Sequence, residues 1–277
     1  MAMNQQKATS FFTPVAGESA AKIKVRAIVR PSGIAGSGHR FYEKYFKRFL
    51  DIVISAAALI VLSPLLGAIA WLVRIKMGKP VIFRQLRSGW QDETGQERTF
   101  MLYKFRSMTN ERDANGRLLS DAERLTWFGR TLRKSSLDEL PEFWNILRGD
   151  MSLIGPRPLL VRDMVFMTEE QRKRHSVRPG LSGLAQINGR NCIKWENKLD
   201  YDLEYARRIT FLEDLRIGLI TIVKVFKTES ISFEGMATAE DFGDYLLRNG
   251  KVTGDTYMER QREALLILEE ERACGKR

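Results

Sequence analysis

The densest chemistry in this 277-residue sequence lies between Ser135 and Pro158, SSLDELPEFWNILRGDMSLIGPRP. Asp138 and Glu139 are adjacent acids at the expected start of a helix. Asp138 would be the N-cap, with Pro141 in the first turn, where a missing backbone donor costs nothing. Two acids there complement a helix N-terminus, which is a complete structural role. The same pair can instead hold a metal ion and carry out chemistry. Basic residues crowd it: Arg130, Arg133 and Lys134 before, Arg148 and Arg157 after. Phe143, Trp144, Ile146 and Leu147 give the helix an apolar face suited to a membrane interface.

Other residues suit an anion. Lys104 and Arg106, in KFRSM, are two apart on an expected strand. That spacing points both to one face, where they can grip a phosphate; a solvated edge strand is the plainer reading. In Gly155-Pro156-Arg157-Pro158 two prolines fix the backbone around one arginine. Its guanidinium is then aimed, as a phosphate or nucleobase contact requires. The stretch 178–191, RPGLSGLAQINGRN, sets glycines beside Arg178 and Arg190, and bare backbone can approach phosphates closely. His175, alone at a helix end, reads as a cap or surface group.

The element that must position these groups is the run Phe49 to Val73, FLDIVISAAALIVLSPLLGAIAWLV, with Asp51 as its single charge. Its length and polarity are those of a membrane helix. Ser63-Pro64 near its middle predicts a kink, because proline removes one donor and clashes with the preceding turn. The Ser63 hydroxyl can bond a carbonyl that the kink frees. Both flanks are basic, with Arg40, Lys44, Lys47 and Arg48 before and Arg74, Lys76, Lys79, Arg84 and Arg87 after. A spanning helix is basic on one side only. The fourteen residues before Pro64 reach only ~21 Å of a ~30 Å hydrocarbon core. The expectation is a re-entrant helix-break-helix that leaves by the face it entered.

The rest of the chain reads as α+β, mostly helical. Residues 1–40 form an extension, with one edge strand over 23–29 and a linker, PSGIAGSG. Residues 41–80 form the membrane helix, 81–242 the catalytic part, and 243–277 a C-terminal helical extension. Strands over 80–87 and 98–108 make a small hairpin. Helices are expected over 121–133, 160–174 and 211–227, the last with Leu212, Leu215, Leu219, Ile222 and Phe226 as a core or interfacial stripe. A charged helix over 257–272 is a candidate for self-association, which leaves a homo-oligomer open.

The net charge of +11 suits an anionic partner, and beside an apolar run that partner is lipid before nucleic acid. Cys192 and Cys274 are too far apart in sequence for a cysteine metal site or a disulfide scaffold, and fit a reducing compartment. Two non-enzymatic readings remain at this level: a membrane-tethered basic protein that binds lipid or nucleic acid, and a structural subunit. The first explains the charge but not the acid pair beneath arginines.

Taken in order, the motifs resemble the bacterial sugar transferases, the monotopic phosphoglycosyl transferases of the PglC type. The resemblance covers about residues 42–242. It is carried by Ser63-Pro64, Lys104 to Met108, Ser136 to Leu140, Arg148 to Ser152, Gly155 to Pro158, and Arg178-Pro179-Gly180 through Asn188-Gly189-Arg190-Asn191. The forty-residue N-terminal extension and the tail after Gly243 depart from the minimal enzyme. The resemblance implies transfer of a phospho-sugar from a UDP-sugar to a polyprenol phosphate, with UMP released, at the face of a bacterial cytoplasmic membrane with both termini cytoplasmic. It implies Mg²⁺ held at Asp138 and Glu139, and a covalent intermediate on Asp138 with Glu139 as its partner. Lys104, Arg106, Arg133, Pro156, Arg157, Pro158, Arg190 and Asp200 are expected at phosphate and uridine. Similarity around Glu234 to Phe242 points toward an N-acetylated sugar.

Overall fold

The computed structural model describes residues 41–92, 94–189, 193–227 and 240–274. The strand expected over 23–29, Arg190, and most of the stretch read toward an N-acetylated sugar lie outside the described residues.

The apolar run folds as two helices, Lys47–Val61 and Ser63–Met77, bent by 62° at Leu62. Pro64 stands at the start of the second helix, where its missing donor breaks nothing, and Ser63 Oγ donates to the Ile60 carbonyl at 2.8 Å. A π-helical turn, Tyr42–Phe46, leads into the first helix. The whole arm, 42–61, is ~30 Å long, but its apolar part from Phe49 to Val61 is only ~20 Å. The bend remains. Among the described residues no single helix is long and apolar enough to cross a membrane; the bent pair meets that requirement together.

The first arm is an amphipathic helix turned inside out. Lys47, Asp51 and Ser55, four apart and so on one face, are buried. Ile52, Val53, Ile54, Ile60 and Val61 are exposed, Val61 to 74 %. A helix on a water-facing protein shows the opposite arrangement. Asp51, the lone charge of the run, accepts from the Leu153 N–H at 2.9 Å and the Ser152 hydroxyl at 3.1 Å. Arg48 donates to the Ile146 and Leu147 carbonyls at 2.6 and 2.8 Å, capping the C-terminus of the Glu142–Arg148 helix. Lys47 Nζ lies 2.6 Å from Asp214 Oδ2. Two cations counted as flanking charge are thus internal ties.

The second arm turns Ile69 and Val73 inward onto Phe105 and Leu132, with Leu66, Phe128, Leu137 and Leu140 around them. The helix Phe211–Lys227 repeats the inversion. Asp214 and Ile217 are buried, while Leu212 (75 %), Leu215, Leu219 and Ile222 are exposed, so its stripe is not core. Trp127 and Trp144 are exposed as well.

Strands β1 (Ile82–Gln91) and β2 (Glu97–Phe105) form the expected antiparallel hairpin, pairing Ile82 with Phe105 and slipping between Ser88 and Gln91. A second, parallel pair joins β3 (Ser152–Ile154) to β4 (Gly180–Ser182). A Cβ on Gly180 would sit 2.0 Å from the Gly155 nitrogen. Gly180 is therefore a packing glycine, which lets two backbones touch here.

Two expected helices are broken by capping residues. The helix over 121–133 is Asp121–Arg124 and Trp127–Lys134, because Thr126 accepts from the Gly129 N–H and starts a new helix. The helix over 160–174 is Val161–Met164, Glu169–Arg172 and the 3₁₀ turn Lys173–Ser176, with a Thr168/Gln171 capping box between. The C-terminal helix Gly254–Cys274 docks Tyr257, Ala264, Ile267 and Leu268 on a core built from Val161, Met164, Val165 and Phe166, shared with Trp195, Leu199 and Phe242.

Candidate active site

Asp138 and Glu139 lie on a short 3₁₀ turn, Leu137–Glu139, and not on an α-helix. The next helix begins at Glu142 with Pro141 as its N-cap, so the expected capping role of Asp138 is corrected. The turn is entered through Ser136, at φ 56° and ψ 16°, a left-handed conformation that costs a non-glycine residue ~1 kcal/mol. Leu137 and Leu140 flank the acids and pack into the cluster containing Ile69 and Val73 of the bent helix pair. The two acids therefore ride on the bent helix pair.

Lys104, on β2, and Arg157, from the proline turn, converge on one oxygen. Lys104 Nζ and Arg157 Nη2 each donate to Glu139 Oε1 at 2.7 Å. Burial alone would raise the Glu139 carboxyl; these two cations outweigh it and hold the group well below the usual carboxylate range. Lys104 Nζ is also 3.0 Å from Glu142 Oε1, but not aligned to donate, and that buried oxygen lacks a hydrogen bond. Burial pushes Glu142 up to about 7. Asp138, also buried, is pushed up to about 6, first by burial and then by the Glu139 charge, against the pull of Lys104, Arg133 and Arg157. The site thus holds one acid locked in its charged form and two that titrate close to neutrality.

Hydrogen bonds hold three successive carbonyls of the proline turn. The Pro156 carbonyl accepts from the Gly180 N–H at 2.9 Å, the Arg157 carbonyl from Arg174 Nη2 at 2.6 Å, and the Pro158 carbonyl from Arg87 Nη1 at 3.4 Å. Arg133 donates through Nε to Ser107 Oγ at 2.8 Å and adds positive potential at Asp138.

The structure gathers Lys104, Arg133, Asp138, Glu139 and Arg157. Arg106 does not share a face with Lys104. It follows the last strand residue, is buried, and donates to the Gly78 and Lys79 carbonyls at 2.8 and 2.9 Å, closing the exit of the bent helix pair. Asp200 is exposed on the helix Trp195–Arg207; the acid on that helix's buried face is Asp202. Glu142, Asp202 and Arg174 were missed. A signal existed for one of them. Asp202 falls on the stripe of Trp195, Leu199 and Leu203, where a charge needs an internal partner. His175, read as a cap or surface group, is buried.

Among the described residues no group of three or more His, Cys, Asp or Glu is arranged to hold a metal ion unaided. Mg²⁺ does not require such a cage, since it takes one or two carboxylates and completes its shell with phosphate oxygens and water. Asp138, with the second oxygen of Glu139, is a donor set of that kind.

The sequence profile described as bacterial sugar transferase matches residues 42–228. The sugar transferase EpsL of Bacillus subtilis is 45 % identical over 196 residues, covering 71 % of this chain and 95 % of that protein. A UDP-glucose:undecaprenyl-phosphate glucose-1-phosphate transferase of Klebsiella pneumoniae is 40 % identical over 195 residues. A UDP-N-acetylgalactosamine-undecaprenyl-phosphate N-acetylgalactosaminephosphotransferase of Aeromonas hydrophila is 36 % identical over 189. The chain spans only 41 % and 43 % of the length of these last two.

Proposed function

Because the chain belongs to the bacterial sugar transferase family, we propose that it moves a sugar-1-phosphate from a UDP-sugar to a polyprenol phosphate at a membrane face. An Asp138 oxygen attacks the phosphorus that bears the sugar. The P–O bond to UMP breaks, UMP leaves with the bridging oxygen, and an aspartyl phosphate carries the sugar. A phosphate oxygen of the polyprenol phosphate then attacks the same phosphorus, and the Asp138 carboxylate is released. Splitting the transfer in two lets a membrane-bound and a water-soluble substrate use one site in turn.

The observation that carries this reading is the seating of the acids. Leu137 and Leu140 fasten the turn to Ile69 and Val73; with that helix pair in a lipid leaflet, Asp138 would stand at the depth of the headgroups. Lys104 and Arg157 are the cations that would neutralise the diphosphate. Arg133 flanks Asp138, and Arg190 stays assigned to the nucleotide on the resemblance. Mg²⁺ at Asp138 and Glu139 would supply further charge neutralisation. The apolar faces of 47–77 and 211–227 enter one leaflet, the fold is monotopic, and both ends of the chain stay on the cytoplasmic side.

Assay of UMP release against a panel of UDP-sugars, with and without polyprenol phosphate, tests the reading. The named relatives use both glucose and N-acetylgalactosamine donors, so the panel spans plain and N-acetylated sugars. Asp138→Asn should bind the membrane as before and release no UMP; turnover retained in that variant would refute the nucleophile.

A further inference from the structure

Away from the acids, four side chains join in a buried line that ends on the proline turn at Arg157. Arg174, exposed to 2 %, directs Nε and Nη2 at Asp202 Oδ2, at 3.0 and 2.8 Å. Nη2 also donates to the Arg157 carbonyl at 2.6 Å, and Nη1 lies 3.1 Å from His175 Nε2. A guanidinium has no acceptor, so His175 Nε2 must accept and Nδ1 must carry the ring proton. That proton points at Glu97 Oε1, 2.7 Å away on β2. Each hydrogen bond along Glu97–His175–Arg174–Asp202 is therefore assigned one direction of donation.

We propose that Arg174, braced by Asp202 and His175, is a positioning residue for the transfer. It holds the backbone of Arg157 so that the Arg157 guanidinium meets Glu139. The inference rests on the transferase reading above and adds residues that never touch substrate. Two observations support it. Arg157 keeps 36 % of its side chain exposed, so its side chain is not held by burial alone, and the grip on its carbonyl supplies restraint. Arg174 and Asp202 are each 1 % exposed at the side chain. A buried pair of that kind seldom stabilises a fold more than apolar residues would, which leaves placement as its use. Around His175 the charged groups are Glu97 from β2, Arg172 and Arg174 from its own segment, and Asp202 from the helix Trp195–Arg207.

A double-mutant cycle distinguishes positioning from general support. Arg174→Lys keeps the charge beside Asp202 but cannot reach Asp202, Arg157 and His175 together. It should slow UMP release ~10- to 100-fold, the scale of a misplacement of about 1 Å. In an Arg157→Lys background the same change should cost less than ~3-fold, because the group it positions is already gone. Equal losses in both backgrounds would overturn the proposal. Amide exchange across 155–160 gives a reading free of turnover. His175→Ala, which removes one brace and leaves the Arg174–Asp202 pair, should speed exchange there but not in 254–274. Unchanged exchange across the turn would overturn the proposal even if activity fell. If the unaltered protein released no UMP, the transferase reading would fail while exchange still reported on Arg174.

Discussion

Two buried clusters of charge meet at Arg157, one through its guanidinium and one through its carbonyl. Around Arg174 the donors are matched. Nε and Nη2 serve Asp202, Nη2 serves Arg157, Nη1 serves His175, and only Asp202 Oδ1 is left over. Around Lys104 the acids are crowded. One ammonium lies within 3.0 Å of both Glu139 and Glu142, Glu142 Oε1 lacks a hydrogen bond, and Asp138 and Glu142 are pushed up to about 6 and about 7. Matched charge fixes geometry. Crowded charge stores an electrostatic conflict that a bound diphosphate or cation can relieve, and strongly shifted groups gather where chemistry occurs.

Removing one member should act differently in the two clusters. Asp202→Asn leaves Arg174 buried beside a neutral amide. It should cost ~3–5 kcal/mol in denaturant unfolding, the penalty for an uncompensated buried charge. Replacing both, as Arg174→Met with Asp202→Leu, should restore stability but not turnover. Recovered turnover would erase the contrast.

Glu139→Gln leaves Lys104 and Arg157 without their shared counter-charge, so it should also lower stability in denaturant unfolding, and it should slow UMP release ~10²- to 10³-fold, as expected when a preorganised charge is lost from a site. A loss below tenfold would put Glu139 with the supports.

The pH dependence follows from Asp138. An acid pushed up to about 6 loses its charge as pH falls, so turnover should decline below pH 6 and level off above it. Stability runs the other way. The folded form binds that proton more tightly than the unfolded chain, so ionisation costs stability as pH rises from about 4 through 6. Asp138→Asn should therefore melt above the unaltered protein at pH 8 and converge with it at pH 4. A flat rate profile between pH 5 and 7 would contradict the assignment.

The smallest change is expected at Glu142. Its raised affinity for a proton leaves Glu142 only about half ionised at pH 7, so Glu142→Gln removes less charge than the other changes and turnover should stay within about fivefold. A hundredfold loss would make it a third functional acid.

The sequence carried the acid pair, the kink and the hairpin because each is local. Pro64 must break a helix, two adjacent acids beneath arginines invite a site, and alternating residues make strands. What it hid was long-range. Asp51 reads as a flaw in an apolar run until Leu153, 102 residues away, donates to it. Lys47 and Arg48 read as flanking charge until Asp214 and the end of the Glu142–Arg148 helix claim them. Arg106 looked like a phosphate ligand because strand alternation was carried one residue too far, past the end of β2 at Phe105. The 160–174 helix failed for a local reason: Thr168 and Gln171 cap a new turn inside the apolar pattern.

Trapping the aspartyl phosphate bears most directly on the central claim, a carboxylate nucleophile seated on a bent membrane helix. The protein would be mixed with UDP-sugar in the absence of polyprenol phosphate, quenched in acid and weighed intact. A mass gain of one phospho-sugar, mapped to the peptide containing Asp138 and absent from Asp138→Asn, is the expected result. UMP released on addition of polyprenol phosphate, with no adduct at any quench time, would contradict it and indicate direct transfer between the two substrates.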